Sequence, residues 1–312
     1  MLQLIYLIFA LIFASTADAQ QVPDTTFTFP IRQAAYPQGK GPVIYIDGSH
    51  FNFHTRNGGF FPFSKLLEQD GYKVKSFDTT LTDAGLLKGC RLLVIVNALN
   101  EVNSNSWALP TPSAFSEKEI SVLRKWVENG GSLLLVADHM PFAGAATNLG
   151  KAFGFEFLNG FARTGESFWP PSEFSAENGK LHPSPATTGI KEYEKIDRVT
   201  TFTGSAFKSH EGSMNVLCFS DSDLGLQPDT AWRFNPKTPT QKLNGFYQGS
   251  LLNFGKGRVA VFGEAAMFTA QVVNGSMRIG INSELAPQNA QFVLNLVHWL
   301  DGVKEYTGAV RK

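Results

Sequence analysis

Only two of the 312 residues are cysteine, and charge of neither sign prevails, with 27 Lys+Arg against 27 Asp+Glu. Two thiols make no disulfide framework of the kind that staples small exported domains. Their contexts, Gly89-Cys90-Arg91-Leu92 and Val216-Leu217-Cys218-Phe219, are apolar and strand-like, which favours two separate buried thiols. A net charge of zero provides no field for nucleic acid or an anionic membrane, and no basic run interleaved with aromatics occurs. Nucleic acid is therefore not an expected partner. Also absent are a G-x-S-x-G elbow, a G-x-G-x-x-G turn and a P-loop, which disfavours a serine nucleophile and a nucleotide cofactor.

Long apolar runs are missing too, except at the start. Residues 4–14 form an apolar run of signal-peptide length, too short to span a bilayer comfortably. Ala17-Asp18-Ala19 then supplies a small-x-small cleavage pattern, although no Lys or Arg precedes the run. The expectation is a signal peptide over 1–19, a mature chain starting near Gln20, and an extracytoplasmic location, periplasmic or secreted, with no membrane span afterwards. An uncleaved N-terminal anchor is the competing reading.

What is present is a large apolar fraction, 43% hydrophobic against 17% charged, enough for one big core. Residues 20–40 are polar, carry Pro23, Pro30 and Pro37, and read as an extended arm. The remainder, 41–303, reads as a single domain. Buried strands are expected at 42–46, 72–77, 92–96 and 133–136, because each is a short, nearly charge-free or alternating run. Helices are expected at 62–69 and after the capping box Ser116-Glu117-Lys118-Glu119, and a last one after Pro287. Further strands are expected at 198–203, 215–219, 245–254 and 258–262, the last two joined by a Gly255-Lys256-Gly257 turn. Strand alternating with helix predicts an α/β fold with a mostly parallel sheet and β-rich additions in the second half.

Polar residues gather where the expected strands end. Asp47, His50, Asn52 and His54 follow the first strand, Asn97 and Asn100 the third, Asp138 and His139 the fourth, and Glu264 the last. In open α/β sheets ligands sit outside the carboxyl ends of the strands. If the segment after Asp47 is extended, His50, Asn52 and His54 share one side. Asp138, His139, Glu264 and Asp47 are then the catalytic candidates, with Asn52, Asn97, Asn100 and Trp107 contacting substrate. His50 and His54 could hold a divalent metal such as zinc, which would activate water. A metal-free acid–base pair uses the same residues. The plainer readings are an N-cap for Asp138 and the satisfaction of helix amides for Glu264. The phenylalanines Phe51, Phe53, Phe60, Phe61 and Phe63 read as core. Trp107 and Trp169 lie in expected loops and could stack on a sugar face or simply pin those loops.

Four stretches carry a resemblance: Asp47-Gly48-Ser49-His50-Phe51-Asn52-Phe53-His54, Ala137-Asp138-His139-Met140-Pro141-Phe142-Ala143-Gly144-Ala145, Gly257-Arg258-Val259-Ala260-Val261-Phe262-Gly263-Glu264-Ala265-Ala266-Met267-Phe268, and Ala286-Pro287-Gln288-Asn289-Ala290-Gln291-Phe292. Over about residues 40–302 the chain resembles a bacterial exported family of unknown function in the class I glutamine amidotransferase-like superfamily. The resemblance implies a flavodoxin-like three-layer sandwich. It does not imply glutamine hydrolysis, because the turn where amidotransferases place a cysteine reads Ala137-Asp138-His139. The expected function is an exported hydrolase of a small molecule or carbohydrate. The alternative is a non-catalytic module of the same fold that binds a ligand, sugar or protein.

Overall fold

The computed structural model describes residues 21–308, so the expected signal peptide over 1–19 lies outside the described residues. Nine strands form the main sheet: β1 (Val43–Asp47), β2 (Lys73–Phe77), β3 (Cys90–Val96), β4 (Ser132–Val136), β5 (Glu156–Leu158), β6 (Ala206–Lys208), β7 (Met214–Cys218), β8 (Tyr247–Phe254) and β9 (Gly257–Phe262). Their order is β2-β1-β3-β4-β9-β8-β6-β5, with β7 also paired to β8. Neighbours from β2 through β9 run parallel. From β9 onward every pairing is antiparallel.

This overturns the expected fold class. The chain is not a flavodoxin-like three-layer sandwich with a mostly parallel sheet. Strand residues outnumber helical ones, in a mixed nine-stranded sheet and three small sheets beside it. Among the described residues only α1 (Phe61–Gln69), α2 (Glu117–Glu128) and α6 (Asn289–Asp301) reach nine residues. The shorter ones are α3 (Phe142–Ala145), α4 (Thr147–Ala152) and α5 (Pro185–Thr188). The physical reason lies in the connections. A parallel neighbour needs a crossover of a dozen or more residues, whereas two residues join β8 to β9. The short, Gly- and Pro-broken runs of the second half therefore close as hairpins and meanders.

Alternation along the parallel strands sends Ile44, Ile46, Val94, Leu134 and Phe262 into one core and Leu93, Ile95, Leu133, Leu135 and Val261 into another. Phe63, Leu66 and Leu67 of α1 and Phe292, Val293 and Leu296 of α6 join the first core. Ile120, Leu123 and Val127 of α2 join the second. Helix α2 opens with the expected capping box: Ser116 Oγ accepts from Glu119 N while the Glu119 carboxylate accepts from Ser116 N at 3.0 Å. The arm is docked, not free. Gln21–Pro23 pairs antiparallel with Ala270–Val273, which in turn pairs with Met277–Gly280. After Glu264 the chain makes a 3-10 turn, Ala266–Phe268. Both cysteines are free, and burial pushes each thiol up to about 12.

Candidate functional site

The register of the parallel strands brings the site together. Val96 pairs with Val136, and Val136 with Phe262. One or two residues further on come Asn97, Asp138 and Glu264, at the carboxyl ends of three adjacent strands. All three line one cavity of about 260 Å³, together with His54 and His139.

Each group there is held differently. Asn97, in a left-handed conformation (φ 45°), accepts from Asp138 N at 3.0 Å. The Asp138 carboxylate accepts from His139 N at 2.7 Å and from Ala265 N at 3.1 Å, which ties the end of β4 to the end of β9. Pro141, not Asp138, stands at the N-cap of α3, so the capping reading of Asp138 does not describe its contacts. Glu264 is 1% exposed and accepts from Ala266 N at 2.9 Å and Met267 N at 2.7 Å. It does satisfy turn amides, and it also faces a charged neighbour. Burial first, and then the adjacent Asp138 carboxylate, raise its pKa well above the usual carboxylate range, against the backbone N–H groups that favour its charge.

The imidazoles are poor cations. The ring of His139 stacks on Phe161 at 4.4 Å and 10°. Its Nδ1 lies 2.6 Å from the Met140 carbonyl oxygen, which only accepts, so Nδ1 carries the proton and Nε2 keeps a lone pair in the neutral ring. Burial lowers the pKa of His139, outweighing the pull of Asp138 and Met140. His54 is more extreme. Burial takes its pKa down to about 4, and its Nδ1 is buried without a hydrogen-bond partner. Gly59 makes room for it, since a Cβ there would lie 2.0 Å from that nitrogen.

His50 lies elsewhere. Its Nδ1 is 2.9 Å from Asp47 and its Nε2 is 3.0 Å from Glu119, so neither nitrogen is free for a metal. Asp47 also accepts from Ser49 and from Asn52 Nδ2, and Asn52 in turn donates to the Val96 carbonyl. Asn100 caps the 3-10 turn Glu101–Asn103 and donates to Ser113 O. These four residues are structural pins and none lines the cavity. The assumption of an extended segment fails at Phe51, whose φ of 45° turns the chain and separates His50 from His54. Among the described residues no three His, Cys, Asp or Glu side chains gather as a metal would need.

Trp107 lines the cavity, in edge contact with Phe53 at 5.3 Å and Phe142 at 5.1 Å. Trp169 does not. Phe53 is half exposed and lines the cavity as well, so it is wall where core was expected, and Phe51 is likewise exposed. Sequence reasoning missed Trp232, Gln21 and Gln271, which also line it. Trp232 sits in a loop with no periodicity, and the two glutamines arrive on strands outside the main sheet. No local signal marked them.

No family model matches the chain, and no curated protein matches it. Solved structures do. The mmIFT52 N-terminal domain superposes with a TM-score of 0.57 at 16% identity, covering 86% of this chain and 100% of that one. A cytoplasmic protein of Salmonella typhimurium LT2, STM1381, gives 0.49 at 12% identity, covering 84% and 99%. A ThuA-like protein from Bacteroides uniformis gives 0.47 at 12% identity, covering 88% and 95%. At such identities the likeness is one of fold alone: this chain is similar in fold to the mmIFT52 N-terminal domain, and its structural neighbours include a ThuA-like protein.

Proposed function

We propose that this protein is an exported hydrolase of a small molecule or carbohydrate, working by acid–base chemistry at the cavity between β3, β4 and β9. The observation that carries the proposal is a pair of groups with complementary proton states on one cavity. His139 offers a lone pair at Nε2, and Glu264, buried beside Asp138, holds its proton more tightly than an ordinary carboxyl. In this reading Nε2 takes a proton from water, the hydroxide oxygen attacks the scissile centre, and Glu264 gives its proton to the departing group. Asp138 positions both partners through the His139 and Ala265 amides, and after burial its charge is the second cause that favours the protonated form of Glu264. His54 contributes a second neutral imidazole. We further propose membership of the class I glutamine amidotransferase-like superfamily, resting on the four motif stretches, and an extracytoplasmic location, resting on residues 1–19.

The test is turnover of aryl glycosides and aryl esters by the purified protein. Glu264→Gln and His139→Ala should each cost roughly 10²–10⁴-fold in kcat/KM. Turnover unaffected by either variant contradicts the assignment. The aromatic lining also suits a module that binds a sugar without cleaving it; saturable binding with no turnover would favour that second reading.

A further inference from the structure

We infer that the cavity recognises one uncharged, hydroxyl-rich ring, a single sugar unit, gripped by Trp107 and Trp232. The inference rests on the hydrolase reading for what happens to the ring, and on independent geometry for what the ring is.

Two loops far apart in sequence act as one piece. Leu109 N donates to Asp229 O at 2.9 Å and Ala231 N to Trp107 O at 2.8 Å, forming a bridge between Ala108 and Thr230. That bridge sets both indoles around His139. Trp232 meets its ring edge-on at 4.9 Å, and Trp107 lies 5.9 Å away. Trp232 is 49% exposed and holds a φ of 65°, a conformation that a bulky residue adopts only when its surroundings impose it. Its indole packs edge-on against Phe161 at 4.8 Å and Phe168 at 5.8 Å, and the half left exposed lines the cavity beside the base. It presents an aromatic surface to whatever enters.

Charge decides the class of ligand. None of the described residues lining the cavity is Lys or Arg, while Asp138 and Glu264 are both there. A phosphate or carboxylate would meet no counter-charge and one repelling carboxylate. The uncharged polar part of the wall includes three amides, of which Gln271 donates to Thr269 Oγ1 and keeps its oxygen as an acceptor. Gln21 and Gln271 come from the small sheet formed by the docked arm, and Asn97 from the end of β3. Amides both donate and accept, which matches hydroxyl groups, while aromatic faces cover the C–H face of a sugar ring. A quaternary ammonium would suit the aromatics and Asp138 but would leave the amides unused. At about 260 Å³ the cavity falls just under the roughly 300–1,000 Å³ typical of drug-sized ligand sites, which favours one ring over a chain.

The experiment is a calorimetric titration of the purified protein, described arm included, with methyl gluco-, galacto- and mannopyranoside, glucose 6-phosphate and tetramethylammonium. At least one neutral glycoside should saturate, and the two charged probes should not. Trp232→Ala and Trp107→Ala should each weaken binding by roughly tenfold or more. Trp169→Ala, an exposed tryptophan off the cavity, should change it by less than about twofold. Thermal melts establish that the variants fold, and Trp232→Phe, which keeps a ring, should recover most of the loss. Saturation by a charged probe alone overturns the inference, as does glycoside affinity indifferent to Trp232. Binding of a glycoside without turnover of any aryl glycoside or aryl ester refutes the hydrolase reading and leaves the sugar site standing. Turnover of charged substrates with no glycoside binding does the reverse.

Discussion

Two histidine–carboxylate clusters lie beyond the parallel strands, and they differ in what is left unpaired. Around His50 both ring nitrogens are engaged, and Asp47 and Glu119 are filled by Ser49, Asn52, Ser116 and the Leu81 amide. Around the cavity, His54 Nδ1 has no partner, His139 keeps one nitrogen out of hydrogen bonds, and Glu264 carries a raised pKa. The same residue types serve stability in one place and offer chemistry in the other. Saturation, not identity, separates the two.

The largest expected effects break that comparison outright. Glu264→Gln and His139→Ala should each abolish most turnover in protein that still folds cooperatively. His50→Ala should do the opposite: it strands two buried carboxylates, for a loss of about 3–5 kcal/mol in denaturant unfolding, while the folded fraction keeps its kcat. If His50→Ala instead kills turnover in fully folded protein, the division between the clusters is wrong.

A sharper version uses pH. Against burial, Asp47 and Glu119 raise the pKa of His50. Its stabilisation is therefore complete below about 6.5, the ordinary imidazole value, and is lost as pH rises through the folded-state value. His54, lowered to about 4, has the reverse sign. The unfolded chain takes up a proton there first, so His54 subtracts stability as pH falls from about 6.5 toward 4. Unfolding curves across pH 4–8 should show the gap between wild type and His50→Ala closing at high pH. The gap for His54→Ala should change in the opposite direction at low pH. Parallel pH dependences would contradict the assignment. Gly59→Ala gives an intermediate effect, because its Cβ displaces His54 and should lower turnover without touching the His50 cluster. The smallest expected change is Asn100→Ala, about 1 kcal/mol from the lost cap, with kinetics unaltered.

Much of this was legible in the chain because the relevant forces are local. The apolar runs that became β1 through β4 needed no context, and neither did the capping box of α2 or the turn into β9. Asp138, His139, Glu264 and Asn97 were legible because parallel strands deliver their ends to one edge. His50 was misplaced for two reasons beyond local reach: a left-handed Phe51 broke the assumed alternation, and Glu119, visible only as a capping residue, takes the second nitrogen from 69 positions away. The fold class failed for a related reason. Pairing direction in the second half depends on connection length across segments whose boundaries composition does not mark. Trp232 and the glutamines reach the cavity through tertiary placement alone.

Ring-labelled histidine NMR at a pH of about 6.5, where a free imidazole is half charged, tests the division between the clusters most directly. The account predicts His50 mostly protonated on both nitrogens, with His54 and His139 mostly neutral and the His139 proton on Nδ1. A charged His139 beside a neutral His50 would contradict it.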